Sequence, residues 1–221
     1  MADASSRMQP VLRADARHNR DRILEAARGL FATRGLDVPM AAVARRAGVG
    51  VATLYRRFPT RESLVTTVFA DQLTACTGTI DEALADPDPW AGFSGVVEKI
   101  CAMNILDRGF AAAFLTAFPD AAEFEETRVR AEKGFAELAR RAKDAGRLRA
   151  DFDRSDLTLV LMANNGINAR STQAALAASR RLVALLLHSF RADSAALAAD
   201  PLPPPAPLDP YHLPWPGATT A

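Results

Sequence analysis

Residues 40–61, MAAVARRAGVGVATLYRRFPTR, constrain the fold of this chain more than any other segment. Their pattern predicts a short helix of small residues from Met40 to Ala47, followed by a sharp turn at Gly48, where a residue without a Cβ atom is favoured. A second short helix is predicted from Val51 to Phe58. Two short helices joined by a glycine turn are typical of a helix-turn-helix, which places its second helix in the major groove of DNA.

Charge is distributed unevenly along the chain. Residues 1–70 contain 12 Arg and 6 Asp or Glu, a net charge of +6, whereas the remaining residues have a net charge of −5. A basic amino-terminal segment on an acidic body indicates a polyanion partner that contacts only the first part of the chain. The composition is rich in Ala and only 7% aromatic, which favours helices.

The sequence pattern divides the chain into four segments. We expect a flexible polar arm at residues 1–18, a three-helix DNA-binding domain at 19–68, a larger helical ligand-binding and dimerisation domain at 69–192, and a disordered Pro-rich tail at 193–221. A long helix predicted from Thr60 to about Ala85 crosses the second boundary, so no flexible linker is expected there. The predicted fold class is all-α.

Six further helices are predicted from apolar residues that recur at helical spacing. Prolines and glycines separate them, as in Asp86-Pro87-Asp88-Pro89, where Asp88 and Pro89 are suited to cap and open a helix. The expected ranges are Asn19–Arg34, Trp90–Leu106, Phe110–Phe118, Pro119–Ala145, Ser155–Ala169 and Thr172–Arg191.

Catalytic and metal-binding patterns were sought without success. Cys76 and Cys101 lack metal or disulfide spacing and are expected to be reduced and buried. His18, His188 and His212 lie far apart in the sequence, so no enzyme activity, metal or cofactor is expected. No apolar run approaches the roughly 20 residues of a membrane span, and no signal peptide is evident. We therefore expect a cytoplasmic protein without a membrane partner.

The segment GVGVATLYRRFPTRESL, residues 48–64, resembles the TetR family of bacterial helix-turn-helix transcriptional regulators. The glycine turn, Thr53-Leu54-Tyr55 and the Phe58-Pro59-Thr60-Arg61-Glu62 entry to the next helix carry the resemblance, which covers residues 20–70. Beyond residue 70 only size, helix number and pattern match. The resemblance implies a DNA-binding regulator with a helical body that senses a small molecule.

The resemblance also implies which residues contact DNA. Arg57 is suited to a bidentate pair with guanine, worth about 1–3 kcal/mol of base discrimination. A solvated charge stays open for Arg56, and packing on the first helix stays open for Tyr55. Pro39 and Met40 replace a Ser or Thr that contacts phosphate in many relatives. The predicted DNA-binding residues are Val51, Ala52, Thr53, Tyr55, Arg56, Arg57 and Arg61.

The last two predicted helices carry more apolar residues than one chain can cover. Residues 157–162 and 182–187 are apolar on nearly every side, so we expect an antiparallel homodimer in which these helices form a four-helix bundle. A buried core helix in a monomer is the alternative. Two recognition helices then reach half-sites about 34–36 Å apart on a pseudo-palindromic operator. The predicted interface residues are Leu157, Leu161, Leu176, Arg180, Val183, Leu187 and Phe190.

An effector site in the body follows from the resemblance. Asn104 and Asn165 are the polar candidates, because an amide among apolar neighbours needs partners and can orient a ligand. The remainder of the predicted lining is apolar, which favours a small hydrophobic or amphipathic effector, although ordinary core stays open for each residue. The predicted ligand-binding residues are Phe69, Leu73, Cys76, Phe93, Val97, Ile100, Cys101, Asn104, Phe114, Phe118, Phe124, Met162 and Asn165.

The predicted function is that of a homodimeric repressor that its effector releases from DNA. Binding in the body would tilt the fourth helix and change the spacing of the two recognition helices. A ligand-independent DNA-binding accessory or architectural protein is the main alternative. A small-molecule enzyme on a helical scaffold is a third class, for which the sequence offers no catalytic constellation.

Overall fold

The computed structural model describes residues 4–114, 116, 121–192, 203–205 and 208, with side chains described from residue 17 onward in these ranges. Within them the chain forms α-helices and no strand, which confirms the predicted all-α class. The helices are α1 Ala4–Arg34, α2 Met40–Ala47, α3 Val51–Arg57, α4 Arg61–Leu84, α5 Pro89–Leu106, α6 Arg108–Phe114, α7 Ala122–Asp144, α8 Arg154–Asn165 and α9 Thr172–Phe190.

Most helices begin and end close to the predicted residues, but α1 does not. It begins at Ala4, so the arm expected to be irregular is helical from this residue on. Polar composition suggested an arm, yet the segment contains Ala, Arg, Met and Gln, which favour a helix. The Pro-rich tail predicted for residues 193–221 lies almost wholly outside the described residues, and the domain boundaries stay predictions.

Two smaller differences concern α8 and α6. Helix α8 ends at Asn165 because Gly166 follows as its C-cap, four residues before the predicted end. Helix α6 covers Arg108–Phe114, earlier than expected, and Phe118 lies outside the described residues.

The amino-terminal helices pack around one apolar centre. Ile23 and Phe31 of α1, Val43 of α2 and Leu54 of α3 are all buried, and Ala44 is small enough to let α2 approach its neighbours closely. These residues recur at helical spacing on the inner face of each helix. The packing fixes the orientation of α3 relative to α1 and leaves one face of α3 outside.

Helix α4 belongs to both halves of the molecule. The Thr60 hydroxyl accepts a hydrogen bond from the Ser63 amide at 3.0 Å, and the Ser63 hydroxyl accepts one from the Thr60 amide at 3.3 Å, which is a capping box. Further along α4, the ring of Phe69 lies 6.1 Å from Phe31 of α1 and 6.1 Å from Phe110 of α6. The DNA-binding half and the body therefore share a continuous core.

An aromatic cluster organises the core of the body. The ring of Phe93 on α5 lies 5.5 Å from Phe135 of α7 and 5.4 Å from Phe152, which precedes α8. Phe152 in turn contacts Phe190 at the end of α9, with 5.2 Å between ring centroids. Such aromatic pairs contribute beyond their buried area, and they join four segments that are distant in sequence.

Candidate DNA-binding surface and ligand cavity

Helix α3 presents its polar side to solvent. Leu54 is fully buried, whereas Val51 and Tyr55 keep 44% and 46% of their surface exposed. Arg56 and Arg57 are also exposed. The exposure of Tyr55 argues against the alternative that this side chain packs on α1. Of the other predicted DNA contacts, Ala52 is exposed and Thr53 is half-buried.

The turn before α3 is held by an arginine that the sequence did not single out. Gly48 has a φ of 64°, a left-handed conformation that side chains rarely adopt. The guanidinium of Arg22 on α1 donates a hydrogen bond to the Gly48 carbonyl at 3.2 Å. The contact joins residues far apart in the chain, so no local pattern could have indicated it.

Arg61 already has a partner in the structure. Its guanidinium donates to the carboxylate of Asp37 at 3.1 Å, and both side chains are substantially exposed. Such a pair contributes only about 0–1 kcal/mol, so a phosphate could replace Asp37. Arg45 and Arg46 on α2 are also exposed. They were not among the predicted DNA contacts, because a basic pair carries little specific signal.

A cavity of about 300 Å³ lies between α4, α5, α7 and α8. Its walls are mostly apolar, and they combine residues from helices and from the segment before α8. The principal apolar lining residues are Ile80, Ile100, Phe114, Phe135, Phe152, Leu157 and Leu161.

Charged side chains also line this cavity. Glu132 of α7 accepts hydrogen bonds from Arg154 at 3.0 Å and from Arg128 at 3.4 Å. Burial raises the pKa of the Glu132 carboxyl, and the two arginines oppose that shift. Asp153 caps α8 by accepting from the Ser155 amide at 2.8 Å, and this backbone bond is the largest cause of its lowered pKa. The charged lining residues are Glu132, Arg140, Lys143, Asp153 and Arg154.

Few of the predicted ligand-binding residues line this cavity. Ile100 and Phe114 do, and so do Leu157 and Leu161, which were predicted to lie at the dimer interface. Met162 is on the outside of α8, with 43% of its surface exposed. None of the remaining described candidates lines the cavity, since helical spacing does not distinguish core from cavity wall. All of them are buried except Asn165, which is half-buried. These are Phe69, Leu73, Cys76, Phe93, Val97, Cys101, Asn104, Phe124 and Asn165.

The asparagines differ from expectation. Asn104 and Asn165 each have a buried Oδ1 without a hydrogen-bond partner in the described part of the chain, and neither lines the cavity. Asn164, which the sequence did not single out, donates to the Cys101 carbonyl at 3.0 Å and accepts from the Ser179 hydroxyl at 2.6 Å. Asn164 therefore ties α8 to α5 and α9.

The outer surface of α8 and α9 is apolar, but on a different face from the one predicted. Leu161, Val183 and Leu187 are buried in the core of the chain itself. The exposed residues are Leu159, with 46% of its surface accessible, and Leu185, with 55%. Five exposed apolar residues are called here the α8–α9 face, and the exposed Arg181 lies on the same side of α9 by its helical spacing. They are Leu159, Met162, Ala174, Ala178 and Leu185.

The other predicted interface residues occupy intermediate positions. Leu176 is half-buried, and Arg180 is exposed on the side of α9 that faces Glu98 and Lys99 of α5. Phe190 is half-buried because it packs on Phe152. The interface itself stays a prediction; the predicted set includes buried residues because an apolar run such as 182–187 gives no periodicity from which inner and outer sides can be distinguished.

Two kinds of feature are absent from the described ranges. No group of three or more His, Cys, Asp or Glu residues there is arranged to hold a metal ion. None of the helices in the same ranges combines the length and apolarity that crossing a membrane requires.

Comparison with known proteins fits a helix-turn-helix regulator. Residues 23–68 match the model of bacterial regulatory proteins of the tetR family. Residues 88–192 match the carboxy-terminal domain of SbtR-like transcriptional regulators. The chain belongs to the TetR family of transcriptional regulators, as the resemblance of residues 48–64 implied. No curated protein matches the chain.

Two solved structures share the fold, and a third is similar in sequence. The ketosteroid transcriptional regulator KstR2 of Mycobacterium tuberculosis is 18% identical with a TM-score of 0.61, over 78% of this chain and 94% of that one. The regulator PfmR from Thermus thermophilus is 22% identical with a TM-score of 0.54, over 76% and 95%. A TetR regulatory protein from Mycobacterium vanbaalenii is 30% identical with a TM-score of 0.47, over 81% and 99%.

Proposed function

We propose that this DNA-binding regulator acts as a homodimeric repressor that a small amphipathic effector releases from a pseudo-palindromic operator. The observation that carries the DNA part is the exposed face of α3, which offers Val51, Tyr55 and Arg57 outside a fully buried Leu54. Apolar, hydroxyl and guanidinium groups on one helix are suited to thymine methyl, phosphate and guanine contacts. In a bacterium this activity belongs in the cytoplasm, where the chromosome lies.

The α8–α9 face supports the homodimer. Leu159, Met162 and Leu185 are large apolar side chains with about half of their surface exposed. Large apolar side chains exposed on two neighbouring helices are typical of an interaction site. A second copy of the chain, related by a two-fold axis, would cover the same face on both protomers and would present two recognition helices to two half-sites.

Contacts between the cavity and the DNA-binding half support effector control. Ile80 near the end of α4 lines the cavity, and Phe114 lines it from α6. From Phe114 a series of ring contacts runs through Phe110 and Phe69 to Phe31 of α1, each with about 6 Å between centroids. A ligand that moves α4 or α6 would therefore act on α1 through packed side chains.

The test begins with the region upstream of the gene itself, which is searched for an inverted repeat and examined by footprinting with the purified protein. Arg61→Ala should weaken binding to all sequences and lower the dependence on salt, whereas Arg57→Ala should relax preference at one base position. If both variants keep wild-type affinity and selectivity, the assignment of α3 is wrong. Operator affinity that no candidate effector changes would favour the ligand-independent accessory protein.

A further inference from the structure

We infer that the cavity between α4, α5, α7 and α8 takes a short apolar carboxylate, with its chain inside and its acid group at Lys143. The inference rests on the proposed function, because it takes this cavity as the effector site. It also departs from the purely hydrophobic effector that a charge-poor lining would favour, since five charged residues line the cavity.

The first observation concerns the cations of the lining. Arg154 donates to Glu132 at 3.0 Å, and Arg140 donates to Glu137 at 2.6 Å, so both guanidinium groups already hold a carboxylate. Lys143 lines the same cavity, is half-buried, and takes part in none of the ion pairs between described residues. A half-buried ammonium without a carboxylate partner favours an anion.

Carboxylates close to Lys143 along the chain have other partners. Asp151 accepts a hydrogen bond from Arg149 at 2.7 Å. Asp153 accepts from both the amide and the hydroxyl of Ser155, each at 2.8 Å. Lys143 contributes to the lowered pKa of both aspartates, but only as the weakest of the causes. The ammonium is therefore available to an acid group that enters from solvent.

The second observation is a buried hydroxyl on the cavity wall. Thr158 of α8 lines the cavity with only 3% of its surface exposed. Buried Thr77 donates to the carbonyl four residues earlier at 2.9 Å, but the Thr158 hydroxyl makes no such bond in the described structure. A hydroxyl on the cavity wall can donate or accept a hydrogen bond, so Thr158 is placed to contact a polar group of a ligand in the cavity.

The remaining wall determines the rest of the ligand. Ile80, Ile100, Phe135 and Leu161 offer neither donors nor acceptors to the cavity, so the body of the ligand must be apolar. A volume of about 300 Å³ lies at the lower end of ligand pockets, which span roughly 300–1,000 Å³. The acidic lining residues Glu132 and Asp153 already accept hydrogen bonds from Arg154 and from Ser155, whereas Lys143 is in no ion pair between described residues, so the acid group is placed at Lys143.

The experiment uses the full chain and isothermal titration with straight-chain carboxylates from hexanoate to dodecanoate, each compared with the alcohol of equal length. At its best chain length the wild type should bind the carboxylate about tenfold more tightly than the alcohol, as expected for one charge-assisted contact. Lys143→Gln should abolish this preference and leave alcohol binding unchanged. The matched control is Lys133→Gln on the exposed side of α7, which should retain the preference.

Three results would overturn the inference. They are equal affinity of the wild type for acid and alcohol, a preference that survives in Lys143→Gln, and no binding of any member of either series. Thr158→Val should weaken both series, because it removes the hydroxyl without changing charge. Footprinting on the operator is independent of these titrations, so failure of the ligand class and failure of the DNA-binding proposal are distinguishable.

Discussion

Replacing Leu185 with Ala should weaken the dimer without unfolding the chain. Leu185 keeps 55% of its surface exposed on the α8–α9 face. Fully burying a leucine contributes about 1.5–3 kcal/mol, so roughly half of this remains for a partner to bury. A two-fold axis places the residue in the interface twice. The substitution should therefore cost about 1–3 kcal/mol per dimer, which raises the dimer Kd roughly 5- to 150-fold.

Val183→Ala is the matched comparison on the same helix. Val183 has 2% of its surface exposed and belongs to the core of the chain. Its truncation should lower the free energy of unfolding by roughly 1–3 kcal/mol and leave the dimer Kd close to that of the wild type. Sedimentation equilibrium measures the Kd, and urea denaturation at fixed protein concentration measures the stability.

A further control lies outside the proposed interface. Val129 on α7 is an apolar residue with 39% of its surface exposed, and Val129→Ala should change neither quantity appreciably. The reasoning would be refuted if Leu185→Ala dimerised as tightly as the wild type, or if Val183→Ala raised the dimer Kd more than Leu185→Ala did. Operator affinity should fall with dimer content, because one half-site alone binds weakly.

Three other predictions concern stability and reactivity. Gly109→Ala should destabilise the fold by about 1–3 kcal/mol, because a Cβ atom would lie 2.9 Å from Phe69 and 3.2 Å from the α1 backbone. Gly95→Ala, with open space around the new Cβ atom, should instead stabilise the fold by about 0.5–1 kcal/mol. Thermal denaturation of both variants measures the difference. Burial raises the pKa of Cys76 to about 11 and of Cys101 to about 12. Both thiols should therefore react slowly with iodoacetamide at pH 8 until urea unfolds the chain. Rapid labelling of either cysteine in the folded chain would contradict its burial. Asp153→Ala should cost about 0.5–2 kcal/mol of stability at neutral pH. The pKa of this carboxyl is lowered in the folded chain, so its stabilising effect is present above its ordinary pKa and is lost as pH falls. A difference in stability from the wild type that does not change with pH would exclude the capping role.

The DNA-binding half was largely predictable from local signals. The sharp turn at Gly48 and the start of α4 after Thr60 each depend on residues close by in the chain, and each was predicted from residue type. The hydrogen bond from Arg22 to the turn was not, because it joins residues on different helices. Local rules describe an element and its ends, and they do not identify distant partners.

The body was predictable as helices but not as a site. Leu157 and Leu161 were predicted at the dimer interface and instead line the cavity, while Met162 was predicted in the cavity and instead lies outside. Residues one position apart on a helix point about 100° apart, so a small error in the orientation of α8 exchanges the two surfaces. Apolar residues on all sides of the helix leave that orientation undetermined.

The sequence by itself determined the helical class, the helix-turn-helix and the exposed face of α3, because these follow from periodicity, glycine conformation and capping within a few residues. Only the tertiary structure decided which side of α8 and α9 faces inward, where the cavity lies, and that Lys143 and Thr158 line it. Those features depend on how helices distant in sequence pack on one another. Packing is set by the fit of many side chains at once, and no single segment contains that information.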